Sequence, residues 1–199
     1  FCEKKCDALI VPTDKIKDLF INKYDIKCAI NVIPTGIDTT KFELNNELKK
    51  QVEDIKKKHK IKDSDFIIGA VGRVAKEKSF DKLINTMHKL VKMNDNFKLI
   101  IVGDGPDIDN LKKLVNNLKI ENNIIFTGKV LYDLVPVYYN LFDIMTSFST
   151  TETQGLTIIE ALAASTPVVC INDNSFREMV EDKYNGYLFN EPDEFIEHI

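Results

Sequence analysis

The stretch Glu152-Thr153-Gln154-Gly155-Leu156-Thr157-Ile158-Ile159-Glu160 places two carboxylates around a glycine turn, and the apolar run Ala161-Leu162-Ala163-Ala164 follows it. A carboxylate ahead of the turn can reach a polar ligand. Behind the turn, the amides of the first helical turn, around Gly155, Leu156 and Thr157, lack intrahelical partners. They sit at the positive end of the helix dipole, where a negative group is held. Glu160, about one and a half turns into the helix, can accept hydrogen bonds from a second part of the same ligand. A sugar hydroxyl, a phosphate and a ribose hydroxyl would satisfy these three features in order.

Three further loops carry ligand-type chemistry. Gly72-Arg73-Val74-Ala75-Lys76-Glu77-Lys78-Ser79 follows an apolar β-branched run. Gly72 allows a tight turn, Arg73 can bind phosphate oxygens in a bidentate fork, and Lys78 can add a point charge. Only Arg73 and Arg177 are arginines in this Lys-rich chain, so an arginine at a strand end favours anion binding over an ordinary solvated loop. Gly103-Asp104-Gly105-Pro106 reads either as a turn with a helix start or as the backbone wall of a ligand cleft. It lacks the later glycines and the lysine of a P-loop or dinucleotide fingerprint. Gly128, followed by Lys129 and Val130, reads either as a simple strand exit or as a close backbone approach suited to a nucleobase edge. His59, His88 and His198 have no partner at ligand spacing and are expected at the surface, and no Gly-x-Ser-x-Gly elbow is present. The chain therefore shows no obvious proton-transfer residue.

The elements that must position these loops alternate between apolar β-branched runs and amphipathic stretches, the pattern of β-α-β units on a parallel sheet. Strands are predicted at 8–11, 29–33, 66–71, 98–102, 123–126, 144–147, 168–171 and 186–189. Helices are predicted at 14–22, capped by Thr13, and at 46–59, 80–93, 107–118, 133–141, 156–164 and 175–181. Polarity rises between Asp38 and Asp65, which predicts the least packed segment there. A boundary near Asp38 would separate residues 1–37 from a doubly wound α/β unit over 38–199, with its ligand at the carboxyl ends of the strands.

With 199 residues, 44% of them hydrophobic, the chain can bury a substantial core; the length favours one domain with an appendage. A formal net charge of −4 argues against general nucleic-acid binding. The run Lys56-Lys57-Lys58 reads first as a solvated helix face and second as a contact for anionic lipid. Cys2, Cys6, Cys28 and Cys170 have no zinc or redox spacing. They read as incidental thiols of a reducing cytoplasm, with Cys170 a small core hydrophobe. No apolar run is long enough to span a membrane. The chain opens in Phe1-Cys2-Glu3 without a Met and ends at what reads as a helix start, so it is expected to be a piece of a longer protein.

Taken in order, Pro34-Thr35-Gly36-Ile37-Asp38, Gly72-Arg73 with Glu77-Lys78, Val102 to Pro106, Phe126-Thr127-Gly128 and Glu152 through Glu160 resemble the carboxyl-terminal half of retaining glycosyltransferases of family 4. These are enzymes of two facing Rossmann-like domains, the GT-B fold. The resemblance covers the chain from about Ala8. It implies that Arg73 and Lys78 neutralise a donor diphosphate, that Glu152 contacts the donor sugar, and that Gly155, Leu156 and Thr157 meet sugar and phosphate. Glu160 would hold the ribose hydroxyls, while Gly72, Gly103, Gly128, Lys129 and Val130 form the loops around phosphate and base. The family's usual glycine after Lys78 is Ser79 here, and the position after the first acid, often glycine or serine, is Thr153, with Gln154 next. Glu-Thr-Gln-Gly-Leu-Thr resembles, within the family, the bacterial enzymes that glucosylate diacylglycerol.

What the resemblance implies is a hexosyltransferase that takes its sugar from UDP-glucose in preference to a GDP-sugar, with no metal and no other cofactor. Its acceptor would be a sugar or a membrane lipid, bound through an amino-terminal domain of which residues 1–37 are the end and the crossing. It would be cytoplasmic, or peripheral on the cytoplasmic membrane face, and this half alone would turn over poorly. Two alternatives stand beside it: a nucleotide-sugar epimerase of the same architecture, which needs its own acid and base, and a nucleotide-binding module without chemistry.

Overall fold

The computed structural model describes residues 6–199, so Cys2 lies outside the described residues. Two parallel sheets form. The smaller pairs β1 (Ala8–Val11) with β2 (Ala29–Val32) across α1 (Asp14–Tyr24). Thr13 caps α1 by accepting the Ile16 amide, and the helix ends at Asp25 in the left-handed region. The larger sheet has six strands in the order β5-β4-β3-β6-β7-β8. They are β3 (Phe66–Val71), β4 (Phe97–Val102), β5 (Ile124–Gly128), β6 (Ile144–Ser147), β7 (Val168–Ile171) and β8 (Gly186–Phe189). All neighbouring pairs run parallel.

Alternation along the strands feeds two separate cores. Ile68, Leu99 and Ile101 face α3 (Phe80–Met93) and α4 (Ile108–Leu118), with Phe195 of α7 (Pro192–Glu197) in the same cluster. Ile67, Ile100 and Val102 face the other way. There they meet α2 (Asn46–His59), α5 (Val135–Leu141) and α6 (Leu156–Ala163). Strands covered on both faces read as continuous apolar runs, as these do. The crossovers through α3 and α4 build the sheet outward from β3 in one direction. Those through α5 and α6 carry it the other way on the opposite face. Strand order therefore reverses between β3 and β6, and a crevice opens at their carboxyl ends.

The segment 38–65 is better packed than its polarity predicts. Phe42 is 1% exposed, and Leu48 and Val52 are buried in the second core. Asn45 caps α2 through the Leu48 amide, and the lysines of its carboxyl end point outward. Lys57 and Lys58 are exposed, while Lys56 bridges to Glu53 and Asp63. A few well-spaced apolar residues dock a helix whose other face is solvated. The helix predicted over Ser175–Glu181 does not form; residues 174–179 are a series of turns. Asp173 there accepts the Ser175 amide and so competes with helical bonding, while fully buried Phe176 fastens the turn to the core. The helix predicted from Asp133 begins instead as a 3-10 turn, Tyr132–Leu134, before α5.

The histidines are not at the surface as expected. All three are half-buried; His198 stacks on Tyr187 with ring centroids 4.4 Å apart. His59 Nε2 and His88 Nδ1 are enclosed without partners among the described residues. An imidazole has enough apolar edge to cover a helix flank, which spacing to other ligands does not reveal. Cys170 is fully buried, and burial pushes its thiol up to about 12, as for a core hydrophobe.

Candidate functional site

The loops leaving β3, β4 and β5 are fastened to one another through their backbones. The Gly72 amide donates to Val102 O, the Val74 amide to Asp104 O, and the Asp107 amide back to Val74 O, each at 3.0–3.1 Å. Gly103 bridges to Gly128. A side chain on Gly103 would place Cβ 2.0 Å from Gly72 O, and its φ of +144 would strain one in any case. Gly103 is thus explained by loop-to-loop contact. Gly72 differs: a Cβ there would meet nothing within 4 Å, so the space beside it is open. A bulge in β5 puts Gly128 opposite Val102 and carries the strand to Gly128, two residues beyond the predicted end. Lys129 beyond it is exposed, whereas Val130 packs on the second core.

Across the switch point the loop after β6 closes over the loop after β3. Ser149 and Thr151 hydroxyls reach the Glu77 carbonyl at 3.4 and 3.3 Å. Lys78 donates to Glu152 Oε1 at 2.6 Å, with both side chains mostly sheltered. Val71, Lys78, Ser147, Ser149 and Glu152 line the small crevice between β3 and β6. Arg73 is exposed and makes no side-chain hydrogen bond or ion pair among the described residues. One predicted cation is therefore already paired with a predicted acid, and the other is free for an anion.

Gly155 opens α6 at φ +73. A Cβ there would lie 2.8 Å from the Phe176 ring and 3.0 Å from the Met179 methyl. The first amide turned back onto Gly155 O is that of Ile158. Those of Leu156 and Thr157 have no partner among the described residues, which leaves two donors at the positive helix end. Glu160 is only 9% exposed and accepts the Tyr139 hydroxyl at 2.8 Å. Burial raises its carboxyl pKa above the ordinary value, with the Tyr139 and Tyr132 hydroxyls acting against that rise. The same environment, burial first and the Glu160 charge second, holds the Tyr139 phenol well above its usual range. Among the described residues, no three His, Cys, Asp or Glu side chains gather as a metal cluster.

The family model described as "Glycosyl transferases group 1" matches residues 51–199. The chain belongs to that family. Among relatives of this glycosyl transferase chain, alpha-monoglucosyldiacylglycerol synthase of Acholeplasma laidlawii is 40% identical over 197 residues, covering 98% of this chain and 49% of the relative. The Streptococcus pneumoniae enzyme of the same name is 33% identical over 183 residues, covering 92% and 41%. The chain spans about half the length of these curated relatives. Anabaena HepE, solved in complex with UDP-glucose, superimposes with a TM-score of 0.85 at 21% identity, over 98% of this chain and 54% of that one. At that identity the likeness speaks for the fold, a GT-B carboxyl-terminal domain. The carboxyl-terminal domain of a Francisella tularensis group 1 family protein is 26% identical, with a TM-score of 0.69 over 81% of this chain and 85% of that one.

The structure also reveals positioning residues of this glycosyl transferase chain that motif spacing does not flag. Gln154 is buried and bonds both ways to the Thr35 backbone, accepting its amide at 3.0 Å and donating to its carbonyl at 2.8 Å. Lys15 of α1 reaches Asp173 at 2.7 Å and Ser175 Oγ at 3.2 Å. Ser175 Oγ in turn donates to the Glu152 carbonyl, and Thr13 Oγ1 donates to the Thr153 carbonyl. The loop bearing Glu152 is thus braced from residues 13–35. Their only sequence signal is the departure at Thr153, beside Gln154, where the family resemblance expects a small residue.

Proposed function

We propose that this chain supplies the donor site of a retaining hexosyltransferase that moves glucose from UDP-glucose to a membrane lipid such as diacylglycerol. The observation that carries the reading is the crevice between β3 and β6. There the Lys78–Glu152 pair lies at the switch point of a sheet whose family transfers sugars, and the loop after β3 that carries Lys78 also carries the open backbone of Gly72 and the unpartnered Arg73. The names of the two relatives quoted above favour glucose and diacylglycerol, and the HepE complex with UDP-glucose favours UDP as the nucleotide. Residues 1–37 would be the end of an acceptor domain and the crossing into the donor domain over 38–199.

In this reading Arg73 grips the diphosphate, and Lys78 shifts from Glu152 toward it. Their charge matters most as the C1–oxygen bond breaks and the diphosphate gains negative charge, so they stabilise the transition state more than the ground state. The unpartnered Leu156 and Thr157 amides add donors from the helix end. Glu152, released by Lys78, accepts a sugar hydroxyl, and Glu160 accepts the ribose hydroxyls. The acceptor attacks on the face from which the diphosphate leaves. Its hydroxyl then lies beside the departing oxygen, which takes the proton, and no side chain has to act as base. An epimerase would need an acid and a base at the sugar. No histidine is among the residues lining the crevice, and the epimerase alternative has no support among the relatives.

A thermal-shift panel of UDP-, GDP- and ADP-sugars tests the donor, because a ligand that binds only the native state raises its stability. UDP-glucose should give the largest shift; no shift with any of them overturns the donor-site reading. Transfer of labelled glucose to diacylglycerol vesicles by a protein joining this chain to its amino-terminal half tests the reaction. Binding without transfer would leave a nucleotide-binding module.

A further inference from the structure

Glu160 is held by a neighbour that the transfer reaction itself does not call for. Tyr139 is fully buried on α5. Its ring lies between Phe42 and Phe142, with centroids 5.9 and 6.1 Å away. The Thr166 hydroxyl holds the Tyr139 carbonyl at 2.7 Å. With ring and backbone fixed, the phenol has one orientation, and its hydroxyl donates to Glu160 Oε2 at 2.8 Å. Oε1 has no hydrogen-bond partner among the described residues. Unlike His59 Nε2 and His88 Nδ1, it is not sealed from solvent. One carboxylate oxygen is therefore committed to Tyr139, and the other keeps contact with solvent. The exposed Tyr132, on the turn that follows the Gly128–Val130 loop, is the second phenol close enough to influence this carboxyl.

We propose that Tyr139 is a positioning residue that fixes Glu160 Oε2 so that Oε1 alone meets the donor's ribose, making the site selective for a nucleotide with both ribose hydroxyls. A carboxylate with two free oxygens can rotate about its terminal torsion, whose well is broad. Tied at one oxygen, it offers its acceptor in a single place and loses less freedom when the ribose arrives. The inference rests on the reading that Glu160 takes the ribose.

The test compares affinities by titration calorimetry. The probes are whichever of UDP and GDP the wild-type protein binds, and its 2′,3′-dideoxy counterpart. The wild type should prefer the ribose form by roughly tenfold, the size of a charge-assisted hydrogen bond. Tyr139→Phe should shrink that preference to about twofold while leaving affinity for the dideoxy form unchanged, a split that general loosening of the site would not produce. Tyr139→4-aminophenylalanine, which keeps a ring and an N–H donor, should restore it. If the wild type shows no preference, or Glu160→Ala keeps it, the ribose role of Glu160 is overturned and the inference falls with it. If Glu160→Ala abolishes the preference but folded Tyr139→Phe retains it in full, the role of Tyr139 alone is overturned. Should Tyr139→Phe not fold, the 4-aminophenylalanine variant decides. Preference retained supports the role, and preference abolished in a folded protein overturns it.

Discussion

Arg73 and Lys78, the two cations of one expected pair, stand in different electrostatic situations. Lys78 is satisfied by Glu152 at 2.6 Å, so part of what it gains from a diphosphate replaces an existing ion pair. Arg73 gives up only water. Arg73→Ala should therefore weaken donor binding by about 2 kcal/mol, the full worth of a charge-assisted hydrogen bond, and calorimetric titration with the donor nucleotide would read it. Glu160 gives a prediction in pH. Burial raises its carboxyl pKa in the folded chain. Such a group favours the folded state below its unfolded value, and that contribution is lost as pH rises through the folded value. At pH 7 the ionised, buried carboxylate is thus a cost. Glu160→Gln should stabilise the protein there by about 1 kcal/mol, the usual gain on relaxing a functional site, and the gain should fade as pH drops toward 4. Thermal unfolding at the two pH values checks this, and an equal gain at both would detach the effect from ionisation.

At the scale of elements, the glycine loops divide into those that hold each other and those left open. Gly103 is pressed against Gly72 O, a backbone atom that cannot move aside, whereas a side chain at Gly72 meets empty space. Gly103→Ala should cost about 3 kcal/mol, overpacking added to strain at positive φ. Gly72→Ala should cost only the strain, about 1–2 kcal/mol, yet should impair donor binding, because the methyl takes up open space on the loop that carries Arg73 and Lys78. Urea unfolding paired with donor titration separates the two effects. The ends of elements are the part least legible in the sequence. Strand β5 runs on to Gly128 through a bulge, and the expected helix over 175–181 is a chain of turns. In the second place a local hydrogen bond from the Ser175 amide to Asp173 competes with helical pairing.

For the whole molecule, residues 13–35 are joined to the loop bearing Glu152 by polar contacts: Gln154 with Thr35 and Thr13 with Thr153 directly, and Lys15 through Asp173 and Ser175, whose hydroxyl donates to the Glu152 carbonyl. Gln154→Ala removes two bonds from a buried site and should cost about 1–2 kcal/mol, with faster proteolysis near residues 33–45 as the early read-out. Burial pushes the Asp173 carboxyl up, but Lys15 and Ser175 outweigh it and hold its pKa below the ordinary value. Its contribution is therefore present above the unfolded pKa and lost as pH falls through the folded one. Asp173→Asn should destabilise the protein at pH 7 and leave it nearly unchanged near pH 2, as thermal scans would show.

The sequence by itself determined the strands β3, β4, β6, β7 and β8 to within a residue, the doubly wound sheet, the loops that carry Gly72, Arg73 and Glu152, and the helix that carries Glu160. Hydrophobic periodicity and strand-end glycines are local signals, and a parallel sheet buried on both faces writes them into every strand. Which side chains touch was decided only by the tertiary structure. Lys78 and Glu152 lie far apart along the chain, as do Gln154 and Thr35, and nothing in spacing says that they bond. The same holds for Tyr139, which reads as one more aromatic on a helix until the packing of α5 against α6 brings its hydroxyl to Glu160. Polar partners are chosen by geometry across elements, and that geometry exists only once both cores have closed.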